Sequence, residues 1–195
     1  ELLRAAAAAA GDPVQAARLQ LELADTLAQI SEWTEAAAEY QAWLEAFDGA
    51  AGTAEARAGL GWALWTLGRQ EEAAPQFARA AAAESDPARR LELQFKEADA
   101  LFAARRFDSA AERYAAVLAA APADAELADR ARYQLAETEL ARGQTEAGET
   151  RLLELSRTQP GTVFAREAVL RLGSLYEERG ALETAAQQID IFDNL

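Results

Sequence analysis

The side chains that could perform chemistry in this chain are carboxylates, arginines and aromatic rings, because histidine and cysteine are both absent. Their absence removes the imidazole base, the thiolate nucleophile and the usual ligands of zinc and copper. The carboxylates at Glu71 and Glu72, and at Glu177 and Glu178, are consecutive, and consecutive side chains on a helix do not face each other. Paired-carboxylate catalysis is therefore the least favoured interpretation of these residues. We expect no enzyme activity, no cofactor and no metal.

The charge balance restricts the partners that the chain could bind. There are 33 acidic and 19 basic residues, which give a formal net charge of −14. Such a field repels nucleic-acid phosphates and anionic lipid surfaces, although many acidic residues also serve to solvate exposed helix faces. No apolar run approaches the roughly 18 residues of a membrane helix. We expect no nucleic-acid partner and no direct insertion into a membrane.

One stretch, residues 59–77, shows which elements position these side chains. From Leu60 to Leu67 the apolar residues recur at three- and four-residue spacing, which predicts one apolar face of a helix. Gly68 supplies the left-handed backbone conformation with which many helices end. A second apolar stripe follows, with Pro75 predicted in the opening turn of its helix. The stretch therefore predicts two helices joined by a tight turn.

This helix pair recurs along the chain. The small residues that mark the first helix, here called anchors, are separated by 37 or 38 residues and are Ala24, Gly61, Ala98, Ala136 and Gly173. A second small residue follows twelve positions after each anchor, and a large apolar residue follows four positions later, at Tyr40, Phe77, Tyr114, Leu152 and Ile189. The turn comes seven positions after the anchor, at Ser31, Gly68, Arg105, Gly143 and Gly180. No segment alternates as a strand would, so the pattern predicts an all-α fold.

The pattern resembles the tetratricopeptide repeat over essentially the whole chain. The resemblance rests on a Leu-Gly pair in the first helix, glycine at the turn, alanine in the second helix, and a closing proline such as Pro122 or Pro160. It implies one right-handed superhelical solenoid of antiparallel helix pairs over residues 1–195. The repeats would span 14–48, 52–86, 88–122, 126–160 and 161–195, preceded at 1–13 by the second helix of a truncated repeat. We expect the array to be cut at both ends.

The period is longer than the 34 residues usual in this family. With its closing proline and polar loop, it is similar to the variant found in bacterial envelope proteins of the outer-membrane-assembly and Tol–Pal-associated kind. This similarity favours a bacterial protein of the periplasm or cell envelope over a cytoplasmic one.

In the tetratricopeptide architecture the first helices line a concave face. Positions three before, one after and four after each anchor then form a stripe, here called the predicted groove. The candidate partner-binding residues on it are Trp62, Trp65, Phe95, Phe102, Tyr133, Asp25, Asp99 and Glu137. Aromatic anchors surrounded by charge are typical of peptide-binding surfaces.

A structural role is the alternative for these aromatic residues, which could fill the seam between neighbouring repeats. Both interpretations stay open for Phe95 and Tyr133. Trp62 is expected to be exposed, because three equivalent positions are charged. If Trp62 and Trp65 are both open to solvent, they form an apolar patch that needs a partner.

The family's basic clamp, which grips the C-terminal carboxylate of chaperones, would require lysine, asparagine and arginine on this face. The corresponding positions hold Leu21, Asp25, Gly59 and Glu92. We therefore expect a protein or peptide ligand that is basic or apolar, with the three groove carboxylates selecting a cationic ligand.

Two functions from different classes follow. The first is a protein-interaction module that binds a peptide or helix of a partner in the predicted groove and acts as an adaptor. The second is a structural spacer or self-assembling scaffold that associates through its open ends, near residues 1–10 and 182–195. Groove substitutions would abolish binding in the first case, whereas only changes near the ends would do so in the second.

Overall fold

The computed structural model describes residues 6, 9–122 and 126–181. Within these residues there are nine α-helices and no strand, which confirms the all-α prediction. The helices are α1 Pro13–Gln29, α2 Trp33–Phe47, α3 Thr53–Thr66, α4 Gln70–Ala83, α5 Pro87–Ala103, α6 Phe107–Ala120, α7 Glu126–Ala141, α8 Thr145–Thr158 and α9 Val163–Glu178. None of them is long and apolar enough to cross a membrane.

The chain divides into two compact units, 1–105 and 106–195. In the first unit each helix packs against the next from α1 to α5, and α1 also packs against α3. In the second unit the same holds from α6 to α9, with α7 also packing against α9. Within each unit this is the consecutive packing of antiparallel helix pairs that the repeat predicts. The single-domain prediction and the repeat boundaries remain predictions.

Two predicted helices fall largely on residues that the structure leaves undescribed. They are the helix expected at 1–13 and the second helix of the last repeat, expected from Leu182 to about Phe192. The positions of Ala185 and Ile189 lie there as well.

Several first helices of the pairs begin with a side-chain cap. Asp12 accepts a hydrogen bond from the amide of Val14 at 3.1 Å, and Asp86 accepts one from the amide of Arg89 at 2.8 Å. In both cases proline follows the cap as the first helical residue. Thr162 caps α9 in the same way. These contacts satisfy amides that the first turn leaves without an intrahelical partner.

The predicted turn positions share one backbone conformation. Ser31, Gly68, Arg105, Gly143 and Gly180 all have positive φ, between 60° and 76°. At Gly68 the amide donates to the Trp65 carbonyl at 3.0 Å, and the following amide donates to the Leu64 carbonyl at 2.8 Å. This pair of bonds closes the helix in the Schellman geometry. The turn therefore reverses the chain in the same manner in both units.

The anchors lie in tightly packed surroundings. Ala24, Ala98 and Ala136 are fully buried. A Cβ added at Gly61 would lie 2.9 Å from the ring of Phe77, which is itself fully buried. A small residue is needed at Gly61 because the large apolar side chain of the second helix packs directly on it.

The structure corrects the predicted position of Pro75. Pro75 lies inside α4, at its sixth residue, and not in the opening turn. The helix continues because Pro75 is on its exposed side. Thr53 is the first residue of α3 and follows Gly52, which holds the N-cap position. Gly148 is buried, and a Cβ there would lie 2.6 Å from Leu140 and 3.0 Å from the Ala136 carbonyl oxygen.

Candidate partner-binding surface

Trp62 lies at the centre of the predicted groove in the first unit. Its side chain is 42% exposed, and its ring meets Phe77 edge-to-face at a centroid distance of 5.5 Å. The ammonium of Lys96 lies 5.2 Å from the Trp62 ring centroid and 5.5 Å from that of Phe95. Trp62 is therefore exposed, as expected, but a cation from α5 already lies over its ring.

The other aromatic candidates of this unit are less accessible. Phe95 is buried, with 2% of its surface exposed, so it belongs to the core of the unit. Trp65 is half-buried and packs against the core of α1 to α5, and Phe102 is half-buried as well. Trp62 is thus the one aromatic candidate among these four with a broad exposed face.

The carboxylate of Asp25 binds a tyrosine inside the repeat. The Tyr40 hydroxyl donates to Asp25 at 2.6 Å. Burial, followed by this hydrogen bond and the charge of Asp25, raises the pKa of the Tyr40 hydroxyl far above its ordinary value. Gly59 faces the same ring, and a Cβ there would overlap it. The three residues form one packed contact between α1, α2 and α3.

The carboxylate of Asp99 also has a partner within its own helix. Lys96 donates to Asp99 at 3.0 Å, with both side chains largely buried. Asp99, which was expected to select a cationic ligand, thus holds the ammonium of Lys96 in place over the Trp62 ring.

In the second unit the candidate residues pair across neighbouring repeats. Arg171 donates to Glu137 at 2.9 Å. The ring of Tyr133 packs on Phe164 at a centroid distance of 6.3 Å, and burial, followed by the charge of Glu137, raises the pKa of its hydroxyl. Tyr133 therefore packs in the contact between α7 and α9, where it is half-buried.

The exposed apolar side chains show a feature that the candidate set missed. The predicted groove can be extended toward the start of each first helix by the positions ten and six before the anchor. Together with the positions three before, one after and four after the anchor, these form what we call the A-helix stripe. Among the described residues the exposed large apolar side chains are Val14, Ile30, Trp62, Leu67, Val163 and Leu170. Four of these six lie on the A-helix stripe. The spacing 14, 18, 21, 25, 28 in α1 could have revealed Val14 from the sequence.

The charged candidate residues of this surface are paired with other residues of the chain. The described residues contain no cluster of three or more carboxylates that could hold a metal ion. The three groove carboxylates each contact a donor of the chain itself. The first unit presents Val14 and Trp62 on the stripe, and the second unit presents Val163 and Leu170, beside charges that are paired within the chain.

Solved structures resemble the chain over most of its length. MamA from residue 41 to its end, from Desulfovibrio magneticus RS-1, superposes with a TM-score of 0.70 at 21% identity, covering 92% of this chain and 94% of that one. A putative kinesin light chain of Podosopora anserina gives 0.69 at 19%, covering 91% and 93%. YrrB, a TPR protein with an unusual peptide-binding site, gives 0.64 at 19%, covering 90% and 84%. At these identities the likeness concerns the fold.

No curated protein matches the sequence. A family model described as the tetratricopeptide repeat matches residues 51–89, 95–149 and 133–191. Proteins built from these repeats are in general non-enzymatic modules of protein–protein interaction. Because the matches cover more than half of the residues and the helix pairs pack as the repeat requires, the chain belongs to the tetratricopeptide repeat family.

Proposed function

We propose that the chain binds apolar segments of a protein partner on the A-helix stripe of each unit and serves as an adaptor without enzymatic activity. The observation that carries this proposal is the placement of exposed apolar side chains. Val14, Trp62, Val163 and Leu170 lie on the stripe, at 75%, 42%, 58% and 64% exposure. Side chains of this size leave water on binding with a gain of about 1.5–3 kcal/mol each when fully covered.

The pairing of the charges favours an apolar ligand over a basic one. Asp25 is bonded to Tyr40, Asp99 to Lys96 and Glu137 to Arg171. A cationic ligand would have to displace a partner of the chain's own, so each new ion pair would replace an existing one. An apolar ligand leaves these contacts intact.

The proposal can be tested by selecting ligands from a displayed library of random peptides. The stripe variant carries Val14→Ser, Trp62→Ser and Leu170→Ser. The control variant carries Ile30→Ser and Leu67→Ser, which remove exposed apolar side chains off the stripe. We expect peptides rich in large apolar residues that bind the parent and the control variant alike and bind the stripe variant at least tenfold more weakly. Circular dichroism would confirm that both variants are folded.

Two results would overturn the proposal. Peptides that bind the stripe variant as well as the parent would place the binding surface elsewhere. Self-association that responds only to changes near residues 1–10 or 182–195, with no peptide selected, would favour the structural spacer or scaffold instead.

A further inference from the structure

An apolar pocket lies in the first unit, where the start of α1 meets the end of α2 and the turn before α3. Its volume is about 460 Å³, within the range of about 300–1,000 Å³ found for small-ligand sites. The residues that line it are Pro13, Val14, Ala17, Arg18, Leu21, Trp43, Phe47, Ala50, Ala51, Gly52 and Glu55. Val14, Arg18 and Leu21 belong to the A-helix stripe of α1, and Ala51 and Glu55 to that of α3. The pocket is therefore continuous with the surface of the proposed function.

The floor of the pocket is preformed and apolar. Trp43 is fully buried, and its indole N–H donates to the Ala17 carbonyl at 2.7 Å, so its one polar atom is already bonded. The Phe47 ring lies against it at a centroid distance of 5.7 Å. A Cβ at Gly52 would lie 3.2 Å from Leu21 and 3.3 Å from Trp43. Glycine at this turn, with a φ of 104°, thus lets the backbone pack closely against these two side chains.

The rim of the pocket carries two opposite charges. Arg18 on α1 and Glu55 on α3 are both exposed, and within the part of the chain that the structure describes neither side chain has an ion pair or hydrogen bond. The neighbouring Arg57 differs, since it binds both carboxylate oxygens of Asp48 at 2.9 Å. The charges of Arg18 and Glu55 are therefore available to a ligand that brings the complementary groups.

We propose that this pocket holds one large apolar side chain, preferably aromatic, of the protein segment bound on the stripe. Arg18 pairs with an acidic side chain next to that anchor, and Glu55 pairs with a basic side chain on its other side. The inference rests on the proposed function and names the local sequence that the partner presents there. The apolar floor excludes a polar anchor, because a buried polar group would find no donor or acceptor in it.

The test uses two labelled peptides of glycine and serine, each with a central tryptophan. One carries aspartate before and lysine after the tryptophan, and the other carries the reverse order. Both orders are needed because the two rim charges do not fix the direction in which the bound segment runs. Fluorescence anisotropy measures their affinity for the intact chain. We expect one of the two orders to bind more tightly, and replacement of its tryptophan by alanine to weaken binding at least tenfold.

Two variants localise the binding. Ala51→Trp, at an exposed residue of the lining, fills the pocket with the chain's own side chain and should abolish binding. Arg18→Glu should weaken the favoured peptide about fivefold, and the double variant Arg18→Glu with Glu55→Arg should invert the preference between the two peptide orders. Arg79→Glu, an exposed charge reversal on α4 outside the pocket, is the matched control and should leave the affinity unchanged.

Several outcomes would overturn the inference. They are a failure of both peptides to bind, binding of the Ala51→Trp variant with the affinity of the parent, and an unchanged order of preference in the double variant. Free tryptophan competing as well as the peptide would assign the pocket to a small molecule instead. The selected peptides could also bind the Ala51→Trp variant as they bind the parent and lose that binding only when Trp62 and Leu170 are replaced. This result would support the proposed function and refute the pocket inference.

Discussion

At the scale of single residues, one repeat position is used in two ways. The residue after the anchor is Asp25, Asp99 or Glu137 in three repeats, and each of these carboxylates binds a donor of the chain: a hydroxyl, an ammonium and a guanidinium. In the second repeat the same position holds Trp62, which remains 42% exposed. The charged residues at this position are therefore paired inside a repeat, within one helix and between two repeats, respectively, whereas the tryptophan keeps an exposed face.

The contact between Asp25 and Tyr40 predicts a dependence of stability on alkaline pH. The pKa of the Tyr40 hydroxyl is raised in the folded chain above its ordinary 10.0. The unfolded chain therefore loses this proton first as the pH rises, and the free energy of unfolding falls above pH 10.0 by about 1.4 kcal/mol per pH unit for this tyrosine. Below pH 10.0 the contribution is fully present.

Tyr40→Phe should separate these effects in urea unfolding measurements. At neutral pH the variant should be less stable by about 1–3 kcal/mol, because the half-buried Asp25 loses its donor. Above pH 10.0 its stability should fall less steeply than that of the parent, while Tyr133 and Tyr176, whose pKa values are also raised, keep their contributions in both. Parallel stability curves for parent and variant would show that Tyr40 does not carry the alkaline loss.

At the scale of helices, the turn within each pair imposes a left-handed residue. Glycine adopts this conformation without strain, but Ser31 and Arg105 occupy it at φ 64° and 60°. A residue with a Cβ is destabilised there by roughly 1 kcal/mol relative to glycine. Two of the five turns therefore carry strain that the other three do not.

Ser31→Gly and Arg105→Gly should each stabilise the chain by about 1 kcal/mol. The reverse change, Gly68→Ala, should destabilise it by a similar amount, because no atom lies within 4 Å of a Cβ there and only the backbone conformation is tested. Gly11→Ala is the matched control, since that exposed glycine has neither a positive φ nor a close neighbour. Thermal and urea unfolding would measure all four, and a loss of stability in Ser31→Gly would refute the strain argument.

The helix pairs and their turns could be predicted because they follow from local spacing. The turn at Arg105 could be located by counting seven positions from Ala98, although its residue type gives no sign of the positive φ found there. The position of Pro75 could not be obtained in this way. The first residue of a helix depends on which backbone groups find hydrogen-bond partners. The hydrogen bonds of the turn at 67–69 let α4 begin at Gln70, so that Pro75 is its sixth residue.

The candidate site was harder to predict than the fold. Phe95 and Trp62 are both aromatic residues on the same predicted stripe, yet one is 2% and the other 42% exposed. The difference depends on how the helices around them pack, which a one-dimensional pattern does not contain. The partners of Asp25 and Glu137 were missed for a related reason, since they lie 15 and 34 residues away in sequence.

At the scale of the whole molecule, charge and apolar contact act over different distances. A net charge of −14 attracts any cationic chain from a distance, whatever the contacts it makes afterwards. Burial of apolar side chains acts only on contact. Affinity alone therefore does not distinguish a basic ligand from an apolar one, but the dependence of affinity on salt does.

Peptides selected on the A-helix stripe should bind with an affinity that changes less than about twofold between 0.1 M and 1 M salt. Over this range the screening length falls from about 10 Å to about 3 Å, whereas apolar burial is not screened. A lysine-rich peptide of equal length is the control, and its affinity should fall at least tenfold over the same range. If the selected peptides weaken as the control does, the net charge of the chain supplies their affinity. The ligand would then be basic, and Lys96 would have to leave Trp62 to admit it.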